Sequence, residues 1–153
     1  MPVQHFVAPA MRLVITLCWG EVLCGEVVDG LEELRLNPDF NPDFAQLTDL
    51  SQVSKLHLGF NDMDAIHSLH DPFSNVGKRA VIAPGHDALY GLARMYQLLV
   101  DHEHFEVFHL QPDAVTWLGL EITAVEAAMR KAVPQRQPEN IEVEQLGKMG
   151  HKK

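Results

Sequence analysis

Histidines are the residues of this chain best suited to chemistry, because nine occur and an imidazole can bind a metal or transfer a proton near neutral pH. Only two pairs are closely spaced. His67 and His70 can share one helix face, and His102 and His104 lie at a predicted helix end. Zinc would need a further ligand beside either pair, and no HExxH or paired CxxC spacing supplies one. We therefore expect solvent-facing and helix-capping histidines, with no metal and no cofactor.

No serine or cysteine has a sequence context that activates a nucleophile. The chain lacks a GxSxG sequence, and no basic cluster adjoins Cys18 or Cys24, which are expected to be buried thiols. The phosphate-binding patterns GxxxxGK[ST] and GxGxxG are also missing. Asp62 and Asp64 are two residues apart, so they point to different faces of a helix. The sequence predicts a protein that is not an enzyme and has no catalytic residue.

Arg94 is the most unusual single charge in the sequence. It is the only lysine or arginine between Arg79 and Arg130, and it lies in a largely apolar predicted helix. Tyr90 precedes it by about one turn, and Gly91 costs roughly 1 kcal/mol against alanine inside a helix. Such a glycine often lets a neighbouring backbone or a ligand approach. Two interpretations stay open: Arg94 pairs with a carboxylate, or it belongs to an anion or headgroup site at the sheet edge.

The charge of the chain argues against nucleic acid as a partner. Residues 1–130 hold 7 basic and 18 acidic residues, a formal charge of −11, whereas residues 131–153 have a charge of +2. A body of that charge repels polyphosphate. No apolar run reaches the ~18 residues that a membrane span needs, and no secretory signal precedes the first strand. These features predict a cytoplasmic protein and leave peripheral contact with a membrane open.

The elements that position these residues alternate between strand and helix. Runs rich in β-formers predict strands, and runs with a 3.6-residue apolar period predict helices. The strands are expected at 3–8, 12–19, 45–50, 79–83 and 105–110, and the helices at 22–36, 61–69, 88–101, 112–118 and 121–132. This order indicates one α/β domain over residues 1–130, with a single mixed, largely parallel sheet of four to five strands packed by helices. The polar residues 131–153 are expected to form a flexible tail.

Local signals predict where several elements begin and end. Gly20 and Glu21 are expected to end the second strand. The tetrapeptide Asn-Pro-Asp-Phe occurs at 37–40 and again at 41–44, which predicts a helix stop and two turns whose Phe rings pack on the core. Asn61 or Asp62 can cap the helix after the third strand, and Asp87 can cap the long helix that follows the fourth.

Four stretches together resemble the bacterial SpoIIAA-like proteins, which are small domains related to STAS domains and to the CRAL-TRIO lipid carriers. They are RAVIAP at 79–84, YGLARMY at 90–96, FEVF at 105–108 and DAVTWLG at 113–119, and the resemblance covers roughly residues 3–120. It implies a STAS-like fold and a non-enzymatic module that binds a protein partner. The alternative that it implies is a carrier or sensor of a small lipid or other amphipathic ligand, with transient membrane contact.

The resemblance also bears on how partner binding is controlled. In STAS domains of the anti-sigma-factor antagonist type, a phosphorylated serine heads the helix after the third strand. Here Asn61 and Asp62 stand where that serine is expected, which implies a module without a phosphoserine switch and with a fixed negative charge at the helix start. Asn61, Asp62, Tyr90 and Arg94 are therefore the candidate binding residues. Exposed edge strands also permit a homodimer.

Overall fold

The computed structural model describes residues 2–85 and 87–132 of the chain, which begins with an antiparallel pair of strands. β1 (Val3–Ala8) and β2 (Leu13–Leu23) are joined by a 3-10 turn at Pro9–Met11 and pair along the whole length of β1. The strands expected at 3–8 and 12–19 are therefore present, and they pair as an antiparallel hairpin.

The prediction that Gly20 and Glu21 end β2 is wrong. Gly20 adopts the left-handed φ of 70°, and the register with β3 (Ala45–His57) shifts between Gly20 and Glu21. Such a bulge bends a strand without ending it. Pairing resumes where Glu21 faces Lys55, and the next residue, Val22, is fully buried, so burial of apolar surface stabilises the extension. β3 likewise extends beyond residue 50, where the predicted strand ends, and its register with β2 shifts between Asp49 and Gln52.

The remaining strands extend the sheet in sequence order and parallel to β2. Each parallel step needs a crossover connection, and right-handed crossovers that all advance in one direction place their helices on one face of the sheet. The crossover segments and the last two strands are α1 (Cys24–Leu36), α2 (Phe60–Ala65) with a π-helical turn (Ile66–His70), β4 (Arg79–Ile82), α3 (Asp87–Val100) and β5 (Phe105–Phe108).

Two further helices cover the opposite face of the sheet. β5 ends at Phe108, and α4 (Gln111–Leu118) begins after Leu110, so the strand expected through Leu110 is shorter than predicted. α5 spans residues 122–132, and Ala132 is 2% exposed. The predicted tail therefore does not begin at residue 131, because Lys131 and Ala132 continue a packed helix. The rest of that prediction, residues 133–153, lies outside the described residues.

Alternation along the strands divides the core between the two faces. On β2, Leu13, Ile15 and Leu17 pack against the side of α4 and α5, together with Val125. Thr16 and Cys18 point to the opposite face, which α1, α2 and α3 cover. The two faces therefore have different chemistry. The α4–α5 face buries an aliphatic cluster, whereas the α1–α3 face includes buried polar side chains.

The repeated tetrapeptide forms the same turn twice, as predicted. The backbone N–H of Asp39 donates to Asn37 Oδ1 at 2.8 Å, and the N–H of Asp43 donates to Asn41 Oδ1 at the same distance. Each asparagine carbonyl also accepts the N–H of the phenylalanine three residues later. Phe44 is 6% exposed against core residues, so it holds the loop to the sheet.

Candidate functional site

A cavity of about 140 Å³ lies between the sheet and helices α1, α2 and α3. Its walls are mainly apolar and include Val22, Leu50 and Val81 from the strands and Leu31, Met63 and Leu92 from the helices. Protein interiors normally hold few voids larger than a water molecule. An apolar cavity of roughly 150 Å³ accepts a molecule the size of benzene. The space under α3 is therefore open enough for a small ring or a short chain.

A row of hydrogen-bonded polar side chains crosses one wall of this cavity. Arg79 Nε on β4 donates to Gln46 Oε1 on β3 at 3.1 Å, and Gln46 Nε2 donates to Thr16 Oγ1 on β2 at 2.9 Å. His5 Nδ1 on β1 lies 2.8 Å from the same hydroxyl. Four neighbouring strands thus contribute one side chain each. Register explains the row, because Gln46 pairs directly with Arg79, and His5 with Thr16.

Asp71 holds the β4 end of the row. Its side chain is 3% exposed, and its Oδ2 accepts hydrogen bonds from Arg79 Nη1 at 2.9 Å and from the Tyr96 hydroxyl at 2.7 Å. Burial alone would raise the pKa of Asp71. The charge of Arg79 and the hydrogen bonds from Tyr96 and the Phe73 N–H outweigh it and lower that pKa. Asp71 is therefore an ionised partner of a buried arginine.

Aromatic rings enclose the guanidinium group of Arg79. Its central carbon lies 4.7 Å from the ring centroid of Phe73 and 5.3 Å from that of Phe105. An arginine favours such positions because the guanidinium group is attracted to the face of a π system. Arg79 is consequently held by two aromatic contacts, one ion pair and one amide.

His5 ends the row with a nitrogen that has no partner. Arg79 only donates, so Gln46 turns its carbonyl toward Arg79 and its NH2 toward Thr16. The contact of Thr16 Oγ1 with His5 occupies Nδ1 of the imidazole and leaves Nε2 for another partner. Nε2 is buried and has no hydrogen-bond partner in the part of the chain that the structure describes. Burial lowers the pKa of His5 to about 4, so this imidazole is neutral at pH 7.

The π-helical turn that borders the cavity is attached to α1. His70 Nδ1 lies 2.8 Å from Glu32 Oε2, and Arg35 Nη2 donates to the His70 carbonyl at 3.1 Å. Ile66 of the same turn lines the cavity. Single π-helical turns often occur at functional sites. The contacts to Glu32 and Arg35 therefore set where one wall of the cavity lies.

Asn61 and Asp62 lie in the first turn of α2, outside the cavity lining. Gly59 is the N-cap of α2, so the prediction that either residue caps this helix is wrong. Asp62 Oδ2 instead reaches back and accepts the N–H of Gly59 at 2.9 Å, and Asn61 is exposed. Met63, the next residue, is 1% exposed and does line the cavity.

Tyr90 and Arg94 lie on α3, and neither lines the cavity. The Tyr90 ring stacks on His109, with centroids 4.4 Å apart and an interplanar angle of 10°. Arg94 is exposed and forms no ion pair with the described side chains, so the predicted carboxylate partner is not found there. A Cβ added to Gly91 would meet no atom within 4 Å. No described backbone or side chain therefore approaches Gly91 closely, and the approach of a ligand there stays a prediction. Leu92, the next residue, faces the cavity.

The two histidine pairs do not converge on a shared site. His67 Nδ1 lies 3.7 Å from Asp71 Oδ2, whereas His70 contacts α1. His102 is 8% exposed, so the prediction of a solvent-facing residue is wrong for it, and its Nδ1 accepts the N–H of His104 at 2.8 Å. Within residues 2–85 and 87–132, no three histidine, cysteine or acidic side chains are arranged to hold a metal ion.

The residues of the polar row are not among the predicted site residues, although two signals in the sequence point to them. Thr16 interrupts an otherwise apolar run, and Arg79 is a charge at the start of a short apolar strand. A polar residue at a position that alternation assigns to the core needs a buried partner. Neither the partners nor the neighbouring strands can be read from the local sequence.

Comparisons with known proteins bear on the fold. Among solved structures, the chain is similar to the crystal structure of an uncharacterized protein from the DUF3478 family with a SpoIIAA-like fold, from Shewanella loihica PV-4. The TM-score is 0.51 at 18% sequence identity, over 76% of this chain and 91% of that chain. The chain has a SpoIIAA-like fold. No protein-family model and no curated protein matches it.

The SpoIIAA-like fold confirms the α/β class and the largely parallel sheet, which here has five strands. At this level of identity the likeness shows the fold alone. None of the described helices is both long and apolar enough to cross a membrane. The cavity and its polar wall are therefore the features of this chain that bear on its function.

Proposed function

We propose that this protein binds a small amphipathic ligand in the cavity between the sheet and helices α1, α2 and α3, without catalysing a reaction. The observation that carries the proposal is the cavity itself, with mainly apolar walls and one polar wall of buried, hydrogen-bonded side chains. Ligand pockets commonly combine apolar walls with a few placed polar groups. The proposal follows the carrier or sensor alternative and narrows the size of the ligand.

Apolar burial supports an occupant. The walls present mainly apolar side-chain surface to a space of about 140 Å³. A ligand that fills this space buries that surface and gains dispersion contacts. A single ring or a short chain fits the volume, whereas a long-chain lipid exceeds it.

Filling the cavity with a side chain tests the proposal. Ala93 lines it from α3, and an Ala93→Leu substitution is expected to raise the melting temperature of the free protein and to abolish binding of small ring compounds. Ala88→Leu on the exposed side of the same helix is the matched control and should leave ring binding unchanged. Thermal shift and titration calorimetry measure both effects. Ring binding that survives Ala93→Leu would place the ligand elsewhere.

A second candidate, a protein-binding module, is favoured by exposed apolar residues at the carboxyl ends of β2 and β3. Leu23 is 51% exposed and pairs in register with His57, and Phe60, 59% exposed, follows three residues later beside Asn61. This is the turn at which the STAS resemblance implies partner contact. Phe60→Ser should reduce co-purification of a specific partner, whereas Leu98→Ser, on exposed α3 surface, should not. Equal recovery with both variants would reject this surface.

A further inference from the structure

Charges are balanced around the cavity. Among the residues that the structure describes, the titratable side chains that line it are His5, Cys18, Arg79 and Tyr96, and Asp71 forms an ion pair with Arg79. The opposite charges of Arg79 and Asp71 cancel each other. Burial, and secondarily the charge of Asp49, raises the pKa of Cys18 to about 12. Burial together with the charge of Asp71 also raises the pKa of Tyr96, while the pKa of His5 falls to about 4. Each of these three groups is neutral at pH 7.

Arg79 is not arranged as an anion-binding residue. A carboxylate or phosphate is usually recognised by two parallel N–H donors of a free arginine fork. Here Nε donates to Gln46 and Nη1 donates to Asp71, and aromatic rings of Phe73 and Phe105 face the guanidinium carbon. A ligand anion would have to displace Asp71 or be buried without a countercharge, and both are unfavourable.

Thr48 supplies a neutral polar group for a ligand. It lines the cavity next to Thr16, its register partner on β2. Its side chain forms no hydrogen bond with any residue that the structure describes. A hydroxyl can donate one hydrogen bond and accept others, so it matches an alcohol, a carbonyl or an amide equally well.

We infer that the ligand of this cavity is uncharged, a single ring or short chain with one hydroxyl, carbonyl or amide group that hydrogen-bonds to Thr48. This inference rests on the proposed function. Arg79 and Asp71 neutralise each other in the polar wall. A charged ligand would therefore find no countercharge in the cavity, and its binding is disfavoured.

Three probes of nearly equal size separate the outcomes: benzyl alcohol, benzoate and benzylammonium, titrated by calorimetry against the full chain at pH 7.5. Benzyl alcohol is expected to bind at least about tenfold more tightly than either ion, since burying an unpaired charge costs well over the ~1.4 kcal/mol that a factor of ten represents. Tighter binding of benzoate or benzylammonium would overturn the inference and leave ligand binding intact. If none of the three binds, the proposed function fails, and the inference fails with it.

Two variants test the residues. Thr48→Val removes the hydroxyl at nearly constant shape and should weaken benzyl alcohol binding about fivefold while leaving toluene binding unchanged. An unchanged affinity for benzyl alcohol would reject Thr48 as the polar contact. Asp71→Asn leaves Arg79 without its countercharge and should shift the preference toward benzoate. If that variant does not fold, the comparison of Thr48→Val with wild type decides the matter alone.

Discussion

Arg79 and Asp71 show how one buried ion pair organises the residues around it. The pair lies almost entirely out of solvent, and hydrogen bonds connect it to Gln46 on one side and to Tyr96 on the other. A buried pair adds little net stability compared with apolar residues, but removing one partner leaves an uncompensated charge. Its main consequence here is to fix the positions of polar groups on the cavity wall.

A double-mutant cycle on this pair tests its coupling at the residue scale. Asp71→Asn is expected to lower the free energy of unfolding by about 3–5 kcal/mol, because Arg79 stays buried and charged. Adding Arg79→Gln should recover about 1–3 kcal/mol of that loss. Urea denaturation measures all three variants. The exposed contact of Glu103 with His104 is the control, and Glu103→Gln should have a much smaller effect. Additive losses at residues 71 and 79 would contradict the coupling.

His5 predicts a specific loss of stability in acid. Its pKa is about 4 in the folded chain and 6.5 when unfolded, so below pH 6.5 the unfolded chain binds a proton that the folded chain does not. Stability should therefore be complete above pH 6.5 and fall by about 2 kcal/mol between pH 6.5 and 5. His5→Gln should flatten this part of the pH profile of unfolding free energy. His104→Gln, at an exposed position, should leave the slope as in wild type. An unchanged slope in His5→Gln would assign the effect to another group.

Two helical glycines show that the effect of a Gly→Ala substitution on stability depends on what the helix packs against. A Cβ on Gly30 of α1 would lie 3.3 Å from both His5 Nε2 and Val3 Cγ1, whereas a Cβ on Gly91 of α3 would meet nothing within 4 Å. Alanine at Gly91 should therefore stabilise the protein by about 0.5–1 kcal/mol through helix propensity.

Alanine at Gly30 should not give that gain, because it presses α1 away from β1. Chemical denaturation of both variants under the same conditions checks the difference, with the two substitutions serving as controls for each other. Equal stabilisation by both would mean that α1 moves away from β1 without cost.

At the scale of the whole molecule, the two faces of the one sheet are covered differently. The face under α4 and α5 is an aliphatic cluster, and the face under α1, α2 and α3 holds the cavity. Because both are built on the same strands, alternate residues of β2 belong to opposite faces. A substitution that disrupts packing on the aliphatic face should therefore also disrupt the cavity, because the same strands form both.

Val125→Asp tests this dependence. Val125 is fully buried between α5 and the sheet, so a carboxylate there should cost more than about 4 kcal/mol and unfold both faces together. Thr123→Asp, at the exposed start of α5, should change stability by under about 0.5 kcal/mol. Urea unfolding followed by far-UV and near-UV circular dichroism measures cooperativity. If the far-UV signal of Val125→Asp persisted while ligand binding was normal, the two faces would be independent.

Local chemistry explains which features could be predicted. The two Asn-Pro-Asp-Phe turns form as expected, because proline excludes helix and the asparagine side chain bonds within its own turn. The strands and helices could also be placed, since the period of apolar residues depends only on neighbouring positions. Asn61 and Asp62 are candidate binding residues because the STAS resemblance implies a switch serine at their position. Tyr90 and Arg94 are candidates because an isolated charge lies in a largely apolar helix. None of them lines the cavity, and as ligand or partner contacts they stay predictions.

The sequence by itself thus determined the order of strands and helices, the two turns and the α/β class, because propensity and periodicity act over a few residues. Only the tertiary structure decided the polar row on the cavity wall. His5, Thr16, Gln46 and Arg79 are far apart in the chain and become neighbours through the register of four strands. It also decided that Gly30 is crowded and Gly91 is free, since the space around a residue depends on packing rather than on its own element.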